Sequence, residues 1–333
     1  MLWVHIGMPK TGTTALQSYL HRNPGFLHDN GIHYMISGRD RGTGTARLIC
    51  HNSLAVDMNR TAQTLPPGLA EKFIAEYRDN RPAHCVMSSE MFFARDLSAL
   101  RNALFCQIDD PVRIVVYLRR FDDFIEADYK QRAKNGLPTG GAAAFVGGCL
   151  ARIETDPDYM NFGAIFDRIQ TTVPGAVIVP RLYLRDEMTG NNVIPDFLSL
   201  FGVASANIVP PETEANRTLS RLASEALGVF HDRAAGFDKK RCRRLGRTLQ
   251  QSNDPGLFAS GDVLTPEERD TINDLLERRN ETMRQTYFPG RDHLFPPSAR
   301  PASPEVPMRG DPEELPRFQY AVRSILKLLA AES

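Results

Sequence analysis

The stretch from Leu2 to Leu20, LWVHIGMPKTGTTALQSYL, constrains the fold most, because two periodicities meet there across one glycine-bounded loop. Leu2, Trp3, Val4 and Ile6 make a short apolar run that stops at Gly7, the pattern of a buried strand. Ala15, Leu16, Tyr19 and Leu20 then recur at helical spacing. The loop between them sits at a helix N-terminus, where the first backbone N–H groups have no intrahelical partner and the macrodipole is positive. An anion placed at Gly12 to Thr14 therefore meets several donors at once. Lys10 adds a full charge, and Thr11, Thr13 and Thr14 add hydroxyls. The same residues also fit a Gly/Thr turn that holds no ligand.

Spacing within the loop separates the classes of anion site. A Walker A loop is G-x-x-x-x-G-K-[ST], with its lysine directly after the second glycine. Gly7 and Gly12 have that separation, but Thr13 occupies the lysine position and Lys10 lies inside the loop, which disfavours an ordinary NTPase. The arrangement Pro9, Lys10, Thr11, Gly12, Thr13, Thr14 resembles the phosphosulfate-binding loop of the sulfotransferases that use 3′-phosphoadenosine 5′-phosphosulfate (PAPS) as donor. That resemblance implies PAPS as co-substrate, held by these six residues, with Lys10 beside the bridging oxygen between phosphate and sulfate. It also implies no metal requirement.

Further along, strands and helices alternate as a parallel sheet requires. Gly31 to Met35, Ala83 to Met87, Val112 to Leu118 and Ala176 to Val179 read as strands, with VRIVVYL the most β-branched and expected to be central. Helices are expected at Leu48 to Met58, Leu69 to Asn80, around Leu97 to Phe105, Asp122 to Lys134, Pro195 to Phe201 and Glu214 to Arg233. Thr265, Pro266 and Glu268 form a capping box that opens another. Gly38 to Thr45 reads as a polar loop, and Gly136 to Gly148 as a glycine-rich segment. The expected class is α/β, a three-layer domain with a central parallel sheet flanked by helices. In such sheets ligands bind outside the carboxyl ends of the strands, where the first loop, Glu90 and Arg119 emerge.

Those strand ends carry the rest of the resemblance. In sulfotransferases an arginine at the end of such a strand, with a serine eight residues later, holds the 3′-phosphate. Arg119 in YLRRFDDFIEADYKQ matches the first position, whereas Ala127 stands where the serine would be, so one hydroxyl donor worth about 0.5–1.5 kcal/mol is missing. Arg120, Tyr129 or Lys130 are candidates to replace it, and a solvated helix start is the plain alternative for the arginine pair. Glu90, after a strand expected beside the first one, matches the place of the family's catalytic base; an N-cap or ion-paired carboxylate is the alternative. His51 is the rival base, against an ordinary packing histidine. Arg291, in YFPGRDHLFP, resembles the basic loop that closes over the nucleotide.

Composition bounds the partners. The chain has 333 residues, and its 40 basic and 40 acidic side chains leave no overall field to attract nucleic acid. Five cysteines, odd in number and without a C-x-x-C pair, fit reduced thiols and a cytoplasmic location. No apolar run approaches the ~18 residues of a membrane span, and no leader pattern precedes the first strand. Lys239, Lys240, Arg241, Arg243, Arg244 and Arg247 make one dense basic cluster, read as a solvated helix face or a contact for a polyanionic or sugar acceptor.

The expected organisation is a sulfotransferase-like α/β domain over residues 1–295, a proline-rich linker over 296–316 and an amphipathic helix over 317–333, packing on its own core or a second subunit. The expected activity is in-line, metal-independent transfer of a sulfuryl group to a hydroxyl or amine of a carbohydrate or small metabolite, with a homo-oligomer allowed. Two other readings stand beside it: an ATP- or GTP-dependent phosphotransferase with an atypical loop, and a non-catalytic PAP-binding module.

Overall fold

The computed structural model describes residues 1–39, 48–60, 65–80, 84–93, 95–135, 137, 139–208, 218–233, 239–259, 263–297 and 312–331. Strands β1 (Leu2–His5), β2 (Ile32–Tyr34), β3 (His84–Ser88), β4 (Arg113–Leu118) and β5 (Val177–Leu182) form a five-stranded sheet in the order β2-β3-β1-β4-β5. All its pairings are parallel, as the alternating sequence pattern requires. The α/β class and the parallel sheet flanked by helices are thus those expected. The middle place belongs to β1, and the β-branched β4 lies beside it.

The chain divides into two compact units, Met1–Arg119 with Phe162–Pro211 and Arg120–Asn161 with Glu212–Ser333. The first holds the whole sheet together with α1 (Thr13–Arg22), α2 (Pro24–Asp29), α3 (Asn52–Arg60), α4 (Leu69–Asp79) and α5 (Ser98–Ala103). The chain then enters the second unit through α6 (Phe121–Lys134) and α7 (Ala142–Thr155). It returns to the first with α8 (Phe162–Thr172), β5 and α9 (Val193–Ser199). Finally α10 (Arg221–Arg233), α11 (Lys239–Gln250), α12 (Pro266–Tyr287) and α13 (Glu314–Ala331) complete the second unit.

In the first unit alternate residues of the strands point to opposite faces. Trp3, Val86, Val115 and Tyr117 pack with Leu16, Tyr19 and Leu20 of α1 and with Ile194 and Phe197 of α9. Leu2, Val4, Cys85, Met87, Ile114 and Val116 point the other way and are equally buried. Both faces are covered, which is why these strands read as continuous apolar runs.

The turn after β2 is held by one carboxylate. Glu76 of α4 accepts N–H groups from Ile36 at 2.6 Å and Ser37 at 2.7 Å, and His33 Nε2 donates to it at 2.7 Å. Burial pushes this carboxyl up, but the bonds from His33, Ile36 and Ser37 outweigh it and hold it at about 2, below the usual 4.5. The folded form therefore prefers the ionised group, a contribution fully present above pH 4.5 and lost as pH falls toward 2. Glu76→Gln should cost about 2 kcal/mol at pH 7 by urea unfolding, and the deficit should shrink below pH 4. A variant as stable as the wild type at pH 7 would refute that role.

The second unit has its own core, in which Leu227 of α10, Leu245 and Leu249 of α11 and Ala321 and Ile325 of α13 meet. The terminal amphipathic helix thus packs on its own chain, and Arg221 of α10 pairs with Glu314 at its start. At α12 both bonds of the Thr265–Glu268 capping box are present. Arg269 of α12 bonds Asp122 and Glu126 of α6 at 2.6 Å each, and Arg120 bonds Asp122 at 3.0 Å. On α11, Arg243, Arg244 and Arg247 are exposed while Leu245 and Leu249 are buried.

Some elements differ from their sequence expectations. The glycine-rich segment becomes helix α7 from Ala142 onward, anchored by buried Val146, Cys149 and Ile153. Gly147 and Gly148 sit on the open side of that helix, where a Cβ would meet no neighbour. The helix expected from Leu48 begins at Asn52. Most of the polar loop at Gly38 to Thr45, Gly136, the first residues of the helix expected from Glu214 and residues 298–311 of the linker lie outside the described residues. Among the described residues no helix is long and apolar enough to cross a membrane.

Candidate functional site

The first loop leaves β1 after His5 and delivers the chain to α1 at Thr13. Gly12 is the N-cap residue, at φ 75° and ψ 14°, and no side chain caps the helix. A side chain at Gly12 would be strained at that φ, and its Cβ would lie 2.9 Å from Val193 Cγ1. The first-turn amides of α1 thus lack a side-chain cap, the condition under which a helix N-terminus can receive an anion. Lys10 also has positive φ, 70°, a conformation that costs a non-glycine residue roughly 1 kcal/mol or more. Arg119, at the end of β4, offsets that cost by donating from Nη1 to the Lys10 carbonyl at 2.6 Å. Its guanidinium also lies over the Tyr183 ring.

The loop threonines face different ways. Thr11 is buried and donates to the Met8 carbonyl at 2.6 Å, so its hydroxyl closes the loop on itself. Thr13 donates to Glu90 Oε2 at 2.8 Å. Thr14 is exposed and Pro9 half-buried.

Glu90 reaches the loop because β3 and β1 end side by side, with Ser88 opposite His5. The Ser89 N–H donates to the His5 carbonyl at 3.0 Å, continuing the pairing past the strand. Ser89 then caps a short turn at Glu90–Phe92 by accepting the Met91 N–H, which swings Glu90 toward α1. Lys10, Gly12, Thr13, Glu90 and Arg119 thus form one group, joined by the Arg119–Lys10 and Thr13–Glu90 bonds.

The structure does not bring His51 to that group. Its ring is fully buried, and its Nδ1 accepts the Ser88 N–H at 3.1 Å while Tyr34 packs edge-on against it. Burial, with help from the Arg39 charge, drives its pKa down to about 3. His51 is a neutral ring that completes the backbone bonding of β3.

A second buried histidine lies beneath the loop, and sequence reasoning missed it. His5 Nδ1 and Ser88 Oγ are hydrogen bonded at 2.8 Å, and Gln17 of α1 donates to the same oxygen at 3.0 Å. Burial lowers the His5 pKa to about 3. A Cβ at Gly7 would overlap the Thr13 methyl and lie 2.8 Å from His5 Nε2, so only glycine lets the loop settle over this ring. The signal available was a histidine inside an otherwise apolar strand, one residue short of the loop.

The remaining candidates belong to the second unit. Arg291 donates from Nε to the His293 carbonyl at 3.1 Å. Arg120 bonds Asp122 and the Pro296 carbonyl, Tyr129 donates to Glu225, and Lys130 donates to the Ala259 carbonyl. Each of the three candidates to replace the missing serine therefore has partners within that unit.

A separate cavity of about 360 Å³ opens in the first unit between Leu20, Ile32, Tyr34, Ile36 and Leu48. It meets the last turn of α1, roughly 10–12 Å along the helix axis from the cradle at the first turn. No group of three or more His, Cys, Asp or Glu placed to hold a metal occurs among the described residues.

No family model matches the chain. An uncharacterized protein of Archaeoglobus fulgidus is 24% identical over 206 residues, which cover 61% of this chain and 53% of that protein. The chain thus spans about half the length of the curated relative it matches. A solved sulfotransferase from Alicyclobacillus acidocaldarius is similar over 74% of this chain and 98% of its own, at 15% identity and a TM-score of 0.36.

Proposed function

We propose that this protein is a PAPS-dependent sulfotransferase acting on a hydroxyl or amine of a carbohydrate or other small metabolite. One observation carries the reading: an uncapped helix N-terminus, fronted by Lys10 and Gly12 in left-handed backbone, lies within one hydrogen bond of a carboxylate. The first half of that arrangement suits an anion, and the second suits a proton acceptor.

In this reading the α1 amides and Lys10 hold the donor and stabilise charge developing on its phosphate oxygen. Glu90 takes the acceptor's proton as the acceptor oxygen or nitrogen bonds to sulfur. The bond from sulfur to the phosphate oxygen breaks, and its electron pair leaves with PAP. Arg119 serves by fixing the Lys10 carbonyl, and so the loop, for in-line attack. No step calls for a metal.

Thermal unfolding with added nucleotide tests the donor. PAP without metal, at a hundred times its dissociation constant, should stabilise the wild type by about 2.7 kcal/mol, and Lys10→Ala should abolish most of the shift. Stabilisation by magnesium ATP or GTP alone would replace this reading with a phosphotransferase. Tight PAP binding without turnover on any acceptor would leave a binding module.

A further inference from the structure

We infer that Thr13 is a positioning residue for the Glu90 carboxylate, so that a single hydrogen bond ties the donor loop to the acceptor's base. The inference rests on the sulfuryl-transfer reading above and goes beyond it. The sequence offers Thr13 as one more hydroxyl for the anion, because it lies in a run of threonines around Gly12. The structure gives that hydroxyl another partner, Glu90 Oε2, at 2.8 Å.

The direction of the hydroxyl is set by packing. Thr13 is 3% exposed, and its methyl group fills the notch left by the absent side chain of Gly7. The His5 ring borders the same notch, and that ring is held by Ser88, which Gln17 of α1 also bonds. A β-branched side chain is stiff about χ1, so fixing the methyl fixes the oxygen. Turning the hydroxyl toward the cradle would pull the methyl out of its notch. Thr11 is likewise committed, to Met8, which leaves Thr14 as the loop threonine open to a ligand.

The consequence is geometric. Thr13 begins α1, so its backbone belongs to the cradle while its side chain holds Oε2 of Glu90. Donor and base are then registered through the atoms of one residue, and Oε1 is the oxygen presented to the acceptor. Sub-ångström placement of this kind is where proton abstraction gains its rate.

The test uses Thr13→Val, which keeps the methyl and removes the donor, and Thr13→Ser, which keeps the donor. Two readouts separate the roles: the PAP dissociation constant by calorimetry, and PAP release from PAPS with water or a panel of hydroxyl acceptors. Thr13→Val should hold PAP within about twofold of the wild type, yet release PAP about tenfold more slowly, the rate equivalent of one hydrogen bond. Thr13→Ser should recover most of that rate. Loss of PAP affinity in Thr13→Val, or an unchanged rate, would overturn the inference while leaving the sulfotransferase reading intact. A wild type that fails to bind PAP, or binds it and never turns over PAPS, would sink both.

Discussion

Glu90→Gln is expected to slow PAP release from PAPS by about 10²–10⁴-fold while leaving PAP affinity within about twofold, the signature of a lost general base. The substitution is nearly isosteric, and the amide oxygen still accepts from Thr13, so the loop and the short turn at Glu90–Phe92 keep their places. What disappears is the capacity to take a proton from the acceptor. The measurement is single-turnover PAP release beside a calorimetric PAP titration on the same preparation. A rate within threefold of the wild type would mean that Glu90 only anchors Thr13. His51 would not then inherit the role, because its ring is sealed against β3 and its acceptor nitrogen is used by Ser88.

Acid should weaken the fold before its carboxylates are protonated. Both His5 and His51 are buried as neutral rings with pKa about 3, against 6.5 in the unfolded chain. Between those values the unfolded state binds protons that the folded state refuses, so stability rises with pH. The contribution is complete above pH 6.5 and drains away as pH falls toward 3. From pH 7.5 to 5.5 each histidine removes about 1.4 kcal/mol, a combined loss of about 2–3 kcal/mol from a total that seldom exceeds 15. Urea midpoints measured across that range would show it, and His51→Asn should roughly halve the slope. A flat profile from pH 7.5 to 5.5 would show that the rings are reached by water. The Glu76 effect falls below pH 4.5 and stays distinct.

The parts of the fold visible in the sequence are those set by local pattern. The run from Leu2 to Leu20 reads directly because a strand buried on both faces and an amphipathic helix have different periods, with glycines between them. The Thr265 capping box is as legible, since its two bonds join residues three apart. Helix α7 is not, because Gly147 and Gly148 argue against a helix, and only the packing of Val146, Cys149 and Ile153 overrides them. The site divides the same way. Glu90 and Arg119 can be placed at strand ends from the sequence, yet the Thr13–Glu90 bond spans 77 residues and depends on register, with Ser88 facing His5. That Arg119 supports the Lys10 backbone follows from the unusual φ at Lys10, which no composition or spacing announces.

The order in which the chain visits its two units bears on its manufacture. A ribosome finishes β4 at Leu118 and then makes α6 and α7 of the second unit before β5 starts at Val177. At roughly 5–20 residues per second, the outer rim of β4 waits several seconds for the strand that covers it. That rim carries Ile114, Val115 and Val116, an apolar β-branched ladder with open amide and carbonyl groups, the kind of template that captures other nascent chains. Slower translation through residues 119–176 would lengthen that exposure, and a chaperone that shields the rim over this interval should raise the yield of folded protein.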